Sequence, residues 1–139
     1  MAGYLVDTNI WSEALRKEPD PKVVEWMRRN EDKLYISAIS VGELKFGIDR
    51  LEEGRRKRAF QEWLTTLTHR MKGRVLSYNT SVATVWGQLL AKCERNGIRL
   101  ASLDSQLAAT AIRHSLTVAT RNEKDFKHSG ARMENPFGS

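Results

Sequence analysis

Three acidic residues stand where a carboxylate is hard to explain by solubility. Asp7 directly follows the apolar run Gly3-Tyr4-Leu5-Val6, Glu43 lies within an apolar segment, and Asp104 leads a row of Leu107, Ala108, Ala111 and Ile112. Each has an ordinary reading. Asp7 and Asp104 can cap helices, and Glu43, at helical spacing from Ile39, Phe46 and Gly47, can pack its stem while its head reaches water. Taken together they point elsewhere, because carboxylates that converge repel one another unless a cation lies among them. A donor set made only of oxygens suits Mg²⁺ or Mn²⁺. The segment Thr120-Arg121-Asn122-Glu123-Lys124-Asp125-Phe126 adds an amide oxygen at Asn122 and a carboxylate at Asp125, although a turn has the same look.

The elements that must hold these groups alternate along the chain. Gly3 to Val6 reads as a strand that passes through Asp7-Thr8-Asn9, all favourable helix N-caps, into a helix bearing Ile10, Trp11, Ala14 and Leu15. Pro19 and Pro21 follow its end, and Val23, Val24, Trp26 and Met27 mark a second helix. Leu34 to Ser37 is a second strand, continued by a helix from Ala38 to near Glu53 and another carrying Phe60, Trp63, Leu64 and Leu67. Arg74 to Tyr78 is a third strand, after which Asn79 or Thr80 can cap a helix reaching Cys93. A helix opening at Ser102 leads to the strand Leu116 to Thr120, and a short strand is expected near Ala131 to Glu134. Such alternation predicts the α/β class: a central parallel sheet with helices on both faces, in one domain spanning 1–139. Ligands of such sheets bind beyond the carboxyl ends of the strands, near a switch in strand order. Asp7 and the 120–125 segment fall at such ends.

Composition sets the bounds. A chain of 139 residues, 40% hydrophobic, can bury one substantial core and is too apolar to be disordered. Its 23 Lys and Arg against 17 Asp and Glu leave a charge of +6, which draws polyanions through counterion release. Candidates for phosphate contact are Arg121 and Arg55, Arg56 and Arg58, though the run that holds the last three reads equally as a solvated helix start. The lone Cys93 excludes an internal disulfide and suggests a reducing compartment, hence the cytoplasm. The expectation is of a chain with neither an export signal nor a membrane span. His69, His114 and His128 are scattered among polar positions and form no grouping with Ser or Cys, which disfavours a metal-free route.

In four stretches the sequence resembles the PIN-domain ribonucleases, and within them the VapC and FitB-like toxins. These are Leu5-Val6-Asp7-Thr8-Asn9, Ser37-Ala38-Ile39-Ser40-Val41-Gly42-Glu43-Leu44, Asp104-Ser105-Gln106-Leu107-Ala108-Ala109-Thr110-Ala111, and Thr117 to Asn122 continuing through Asp125-Phe126 to Asn135-Pro136-Phe137. The resemblance implies a three-layer PIN-like sandwich and a pocket of acids binding Mg²⁺ or Mn²⁺. Asp7, Glu43 and Asp104 match the main acids. Asn122 and Asp125 compete for a fourth position, Asn122 being preferred and Asp125 held behind it. Thr8 matches a hydroxyl beside the first Asp, with Asn9 next to it. The resemblance also implies RNA, such as tRNA, as substrate, a homodimer, and a VapB-type antitoxin partner that blocks the pocket.

Two other classes compete. Phosphoryl transfer through an aspartate nucleophile also places Asp after the first strand, but Asp7-Thr8-Asn9 lacks the second acid two residues on. A PIN-like scaffold that binds RNA or a protein without cutting is the non-enzymatic alternative.

Overall fold

In the computed structural model, which describes residues 3–138, every expected strand forms, and several are shorter than the sequence pattern suggests. The strands are β1 (Tyr4–Val6), β2 (Leu34–Ser37), β3 (Val75–Leu76), β4 (Thr117–Ala119) and β5 (Met133–Glu134). They make one sheet in the order β3-β2-β1-β4-β5, with every pairing parallel. The helices are α1 (Thr8–Glu13), α2 (Pro21–Arg29), α3 (Ala38–Asp49), α4 (Arg55–Arg70), α5 (Thr80–Arg95), α6 (Ser102–Arg113) and α7 (Glu123–Phe126).

The two-residue period of a strand explains why both faces are covered. Along β1, Tyr4 and Val6 point into one core and Leu5 into the other; along β2, Leu34 and Ile36 oppose Tyr35 in the same way. The first core is closed by Ile10 and Trp11 of α1, Val23 and Trp26 of α2, Leu44 and Ile48 of α3, and Leu64 of α4. Leu89 and Cys93 of α5, Leu107, Ala108 and Ala111 of α6, and Phe126 of α7 close the second. Each fully buried aliphatic side chain contributes about 1.5–3 kcal/mol. Small residues on α6 let it lie close to α5, so Ala108 and Ala111 are fully buried.

The path of the chain places the site. Successive strands move outward from β1 to β2 to β3, and the chain then returns across β1 to β4. Neighbouring connections therefore diverge at the β1/β4 boundary, which leaves a crevice at the carboxyl ends of these two strands.

Helix ends depart from the sequence reading in two places. The first helix stops at Glu13, whose buried carboxylate accepts the Asp20 N–H at 2.7 Å and closes the turn that follows. The third stops at Asp49 rather than near Glu53, with the Arg50 N–H returning to Phe46 O. Among the described residues no helix is long and apolar enough to cross a membrane.

Candidate active site

Asp7 is the hinge between sheet and helix. Its backbone N–H donates to Ala119 O at 2.8 Å, extending the β1/β4 ladder by one step. Its Oδ1 accepts the Thr8 N–H at 2.7 Å and so caps α1. Oδ2 accepts the Thr120 hydroxyl at 2.8 Å and the Asn9 amide at 3.3 Å. The capping reading of Asp7 is therefore correct, and it coexists with a place in the crevice. Burial, with 7% of the residue exposed, is the main force raising its pKa. The Thr120 and Thr8 hydrogen bonds oppose that rise, and the charges of Glu43 and Asp125 add to it.

Thr120 was not singled out by sequence reasoning. It is fully buried, donates to Asp7, and accepts the Asn122 N–H at 3.0 Å, so one hydroxyl fixes both the first acid and the loop after β4. Thr120→Val is expected to destabilise the protein by ~1–3 kcal/mol in denaturant unfolding, because it strands a buried carboxylate oxygen and an N–H. Thr120→Ser should retain most of that stability.

Glu43 is placed by hydroxyls. Thr8 Oγ1 donates to Glu43 Oε1 at 2.6 Å and lies 2.9 Å from Ser40 Oγ, which is fully buried one turn before Glu43. The pair ties the start of α1 to α3. The apolar stripe assumed for Glu43 is not the buried one: Phe46 is 66% exposed, and α3 buries Ser40, Leu44 and Ile48 instead. A helix apolar on most sides does not reveal by periodicity which side meets the sheet.

Asp104 is not a cap. The N-cap of α6 is Ala101, with no side-chain hydrogen bond, and Asp104 sits in the first turn with its carboxyl unengaged. Burial and then the charges of Asp7, Asp125 and Glu43 push its pKa up to about 6. Asp125 thus acts on both Asp7 and Asp104. Its segment is a short helix, α7, rather than a loop. Asn122 precedes that helix, and only its backbone N–H is tied to the cluster, through Thr120. Asp125 adds its charge to the cluster, and Asn122 borders it through its backbone N–H, so both the preferred and the reserve fourth group lie near the crevice.

Among the described residues no Lys, Arg or His nitrogen lies within 4.0 Å of the carboxylates of Asp7, Glu43, Asp104 or Asp125. Mutual repulsion is left uncompensated, and an oxygen-only donor set with excess negative charge fits a hard divalent cation. Among the described residues no three of these side chains are close enough to close a coordination shell unaided.

Of the basic candidates, Arg121 lies at the crevice, where its N–H donates to Asn9 Oδ1 at 3.3 Å. Arg55, Arg56 and Arg58 are exposed at the start of α4, Arg56 stacking on Phe60, and none bonds to the acidic cluster. Nor does any of His69, His114 or His128. A groove with an apolar floor of Trp11, Met27, Leu34, Trp63 and Leu67 and charged walls that include Arg28, Glu31, Arg70 and Arg74 lies toward the amino end of β2 and holds none of the four acids of the site.

A parallel sheet with acids gathered at the β1/β4 switch is the arrangement of a PIN fold, and the PIN domain family model matches residues 4–131. The chain belongs to the PIN domain family. It is 38% identical over 136 residues to Toxin FitB of Neisseria gonorrhoeae, covering 96% of this chain and 97% of that protein. It is 34% identical over 135 residues to VapC ribonuclease Y4jK of Sinorhizobium fredii, covering 96% of each. A tRNA(fMet)-specific endonuclease VapC of Shigella flexneri is 28% identical over 130 residues, covering 94% of each. The crystal structure of FitAcB from Neisseria gonorrhoeae superposes with a TM-score of 0.91 at 36% identity, covering 96% of this chain and 98% of that one.

Proposed function

We propose that this protein is a metal-dependent endoribonuclease toxin, held in check by a cognate VapB-type antitoxin. The observation that carries the reading is the gathering of Asp7, Glu43, Asp104 and Asp125 near one crevice with no Lys, Arg or His paired to them among the described residues; burial first, and then the other three charges, push Asp104 up to about 6. The names borne by the relatives, toxin, ribonuclease and tRNA-specific endonuclease, supply the substrate class and the toxin role. Retention of these acids disfavours a scaffold that only binds.

Asp7 and Asp104 would hold Mg²⁺ or Mn²⁺, with Glu43 reaching it directly or through water and Asp125 completing the acidic rim. When bound, the ion lowers the pKa of an attacking water and neutralises charge on the phosphate in the transition state. The remaining work belongs to the chain. Thr120, Thr8 and Asn9 lock the Asp7 carboxylate in one orientation, and Thr8 with Ser40 aims Glu43 toward the same crevice. Attack in line with the leaving ribose oxygen breaks one P–O bond and forms another, the leaving oxygen taking up a proton. Such positioning is worth several orders of magnitude in rate because the reacting groups need not find one another by diffusion. A homodimer belongs to the same reading and is checked by light scattering.

The direct test is incubation of total cellular RNA, including tRNA, with purified antitoxin-free protein in Mg²⁺, in Mn²⁺ and in chelator. Discrete products that vanish with chelator are expected. No cleavage by folded, metal-loaded protein across that pool would favour the binding scaffold.

A further inference from the structure

Arg121 and Phe137 form a contact that the acidic site does not need for its own assembly. The Arg121 guanidinium carbon sits 4.6 Å from the centroid of the Phe137 ring. The other arginine–aromatic stacks, Arg50 on Phe46 and Arg56 on Phe60, join neighbouring turns at the ends of helices and are local by construction. The Arg121–Phe137 stack instead joins the loop after β4 to the segment after β5. Both partners are anchored. Phe137 packs against the first core, and its N–H donates to Asn135 Oδ1 at 2.9 Å. The Arg121 backbone N–H donates to the Asn9 side-chain oxygen, and the Asn9 amide in turn donates to Asp7.

Among the described residues Arg121 has no carboxylate within 4.0 Å, and its backbone N–H ties the residue to Asn9 at the edge of the acidic crevice. It is exposed, and stacking occupies one face of the guanidinium while its edge keeps its N–H donors. Stacking on an anchored ring removes the rotamer freedom that an arginine otherwise loses on binding. An acidic pocket repels a polyanion, so a phosphodiester needs a nearby cation in order to dwell there, and Arg121 is the basic candidate whose backbone borders the pocket.

We propose that Arg121 is the group that grips a backbone phosphate of RNA next to the acidic pocket, and that Phe137 is a positioning residue acting through Arg121. The inference rests on the ribonuclease reading and adds to it the phosphate grip and its aromatic support.

The test separates the two. RNA binding is measured with Asp7→Asn as the background, so that nothing is cut, across a range of salt concentrations. Arg121→Ala in that background is expected to weaken binding about tenfold and to reduce the slope of log K against log salt by about one. In the cutting-competent protein, the same change should raise KM about tenfold and alter kcat far less. Phe137→Leu keeps an apolar side chain in the core without a ring face and should reproduce part of the KM effect. Phe137→Trp restores the face and should rescue it. Unchanged binding and slope in Arg121→Ala, or equal KM for the Leu and Trp variants, overturns the proposal while leaving the nuclease reading intact. Absence of cleavage and of RNA binding in the starting proteins overturns the nuclease reading itself.

Discussion

Asp7→Asn is expected to fold and to lose RNA cleavage by roughly a thousandfold or more, because a metal-holding carboxylate is removed from a site whose parts act as a unit. Folding should survive for reasons visible in the hydrogen bonds. Asn is as good an N-cap as Asp, and its amide oxygen can keep accepting the Thr8 N–H that Oδ1 accepts now. Its amide nitrogen would face the Thr120 hydroxyl, which can turn from donor to acceptor. The sheet bond from the Asp7 N–H to Ala119 O does not involve the side chain at all. Cleavage assays paired with thermal unfolding monitored by circular dichroism read both outcomes. Wild-type cutting by a folded Asp7→Asn protein would remove Asp7 from the machinery. The same change should let Asp104 ionise at lower pH, since the Asp7 charge is among the causes that hold it at about 6.

Chelation is expected to abolish cleavage and to expose a pH signature in stability that divalent metal reverses. The sign follows from Asp104. Its pKa is about 6 in the folded chain against an ordinary value of 3.8, so between these values the folded state binds more protons than the unfolded. Metal-free protein should therefore become less stable as pH rises from about 4 to above 6, and more stable as the pH falls back through that window. Two pH units correspond to about 3 kcal/mol, and solvent screening at this half-exposed group reduces the effect to ~1 kcal/mol. Asp7, shifted in the same direction, adds to it. Mg²⁺ or Mn²⁺ binds the ionised acids, so the stability it adds should grow with pH across the same range. Thermal unfolding at pH 5 and pH 7, each with metal and with chelator, measures all four corners. A melting temperature indifferent to metal at pH 7 would show that these acids do not hold it.

Asp7 and Asp104 were legible as candidates in the sequence because they sit at or near element boundaries, and Glu43 because it interrupts an apolar segment. Asp7 ends an apolar strand, and strands running into helices place such residues at the carboxyl edge of a parallel sheet. Thr120 holds the equivalent place after β4 and was overlooked, since a threonine ending a β-prone run looks like part of the strand. What joins it to Asp7 is register: Val6 pairs with Ala119, so the residues that follow lie side by side. Register between strands separated by more than a hundred residues is not written in local pattern. The same holds for Ser40 under Thr8 and for Phe137 under Arg121, contacts made by tertiary packing alone. The form of the segment holding Asn122 and Asp125 is hidden for a related reason. A segment rich in Asn and Asp has the look of a turn, and the four-residue helix α7 is fixed by the burial of Phe126, which local pattern does not show.

The bond between Thr120 and Asp7 spans 113 positions of the chain, and Asp104 and Asp125 come from the same late stretch. During synthesis, β1 and β2 can pair and α1 to α4 can cover one face while the crevice still lacks half of its walls. No competent pocket exists until residues 102–126 have been made and β4 has docked beside β1. On the ribonuclease reading proposed above, this timing is a safeguard written into the topology: the ribosome finishes most of the chain before the chain can cut, which leaves an interval in which a blocking partner can already be waiting.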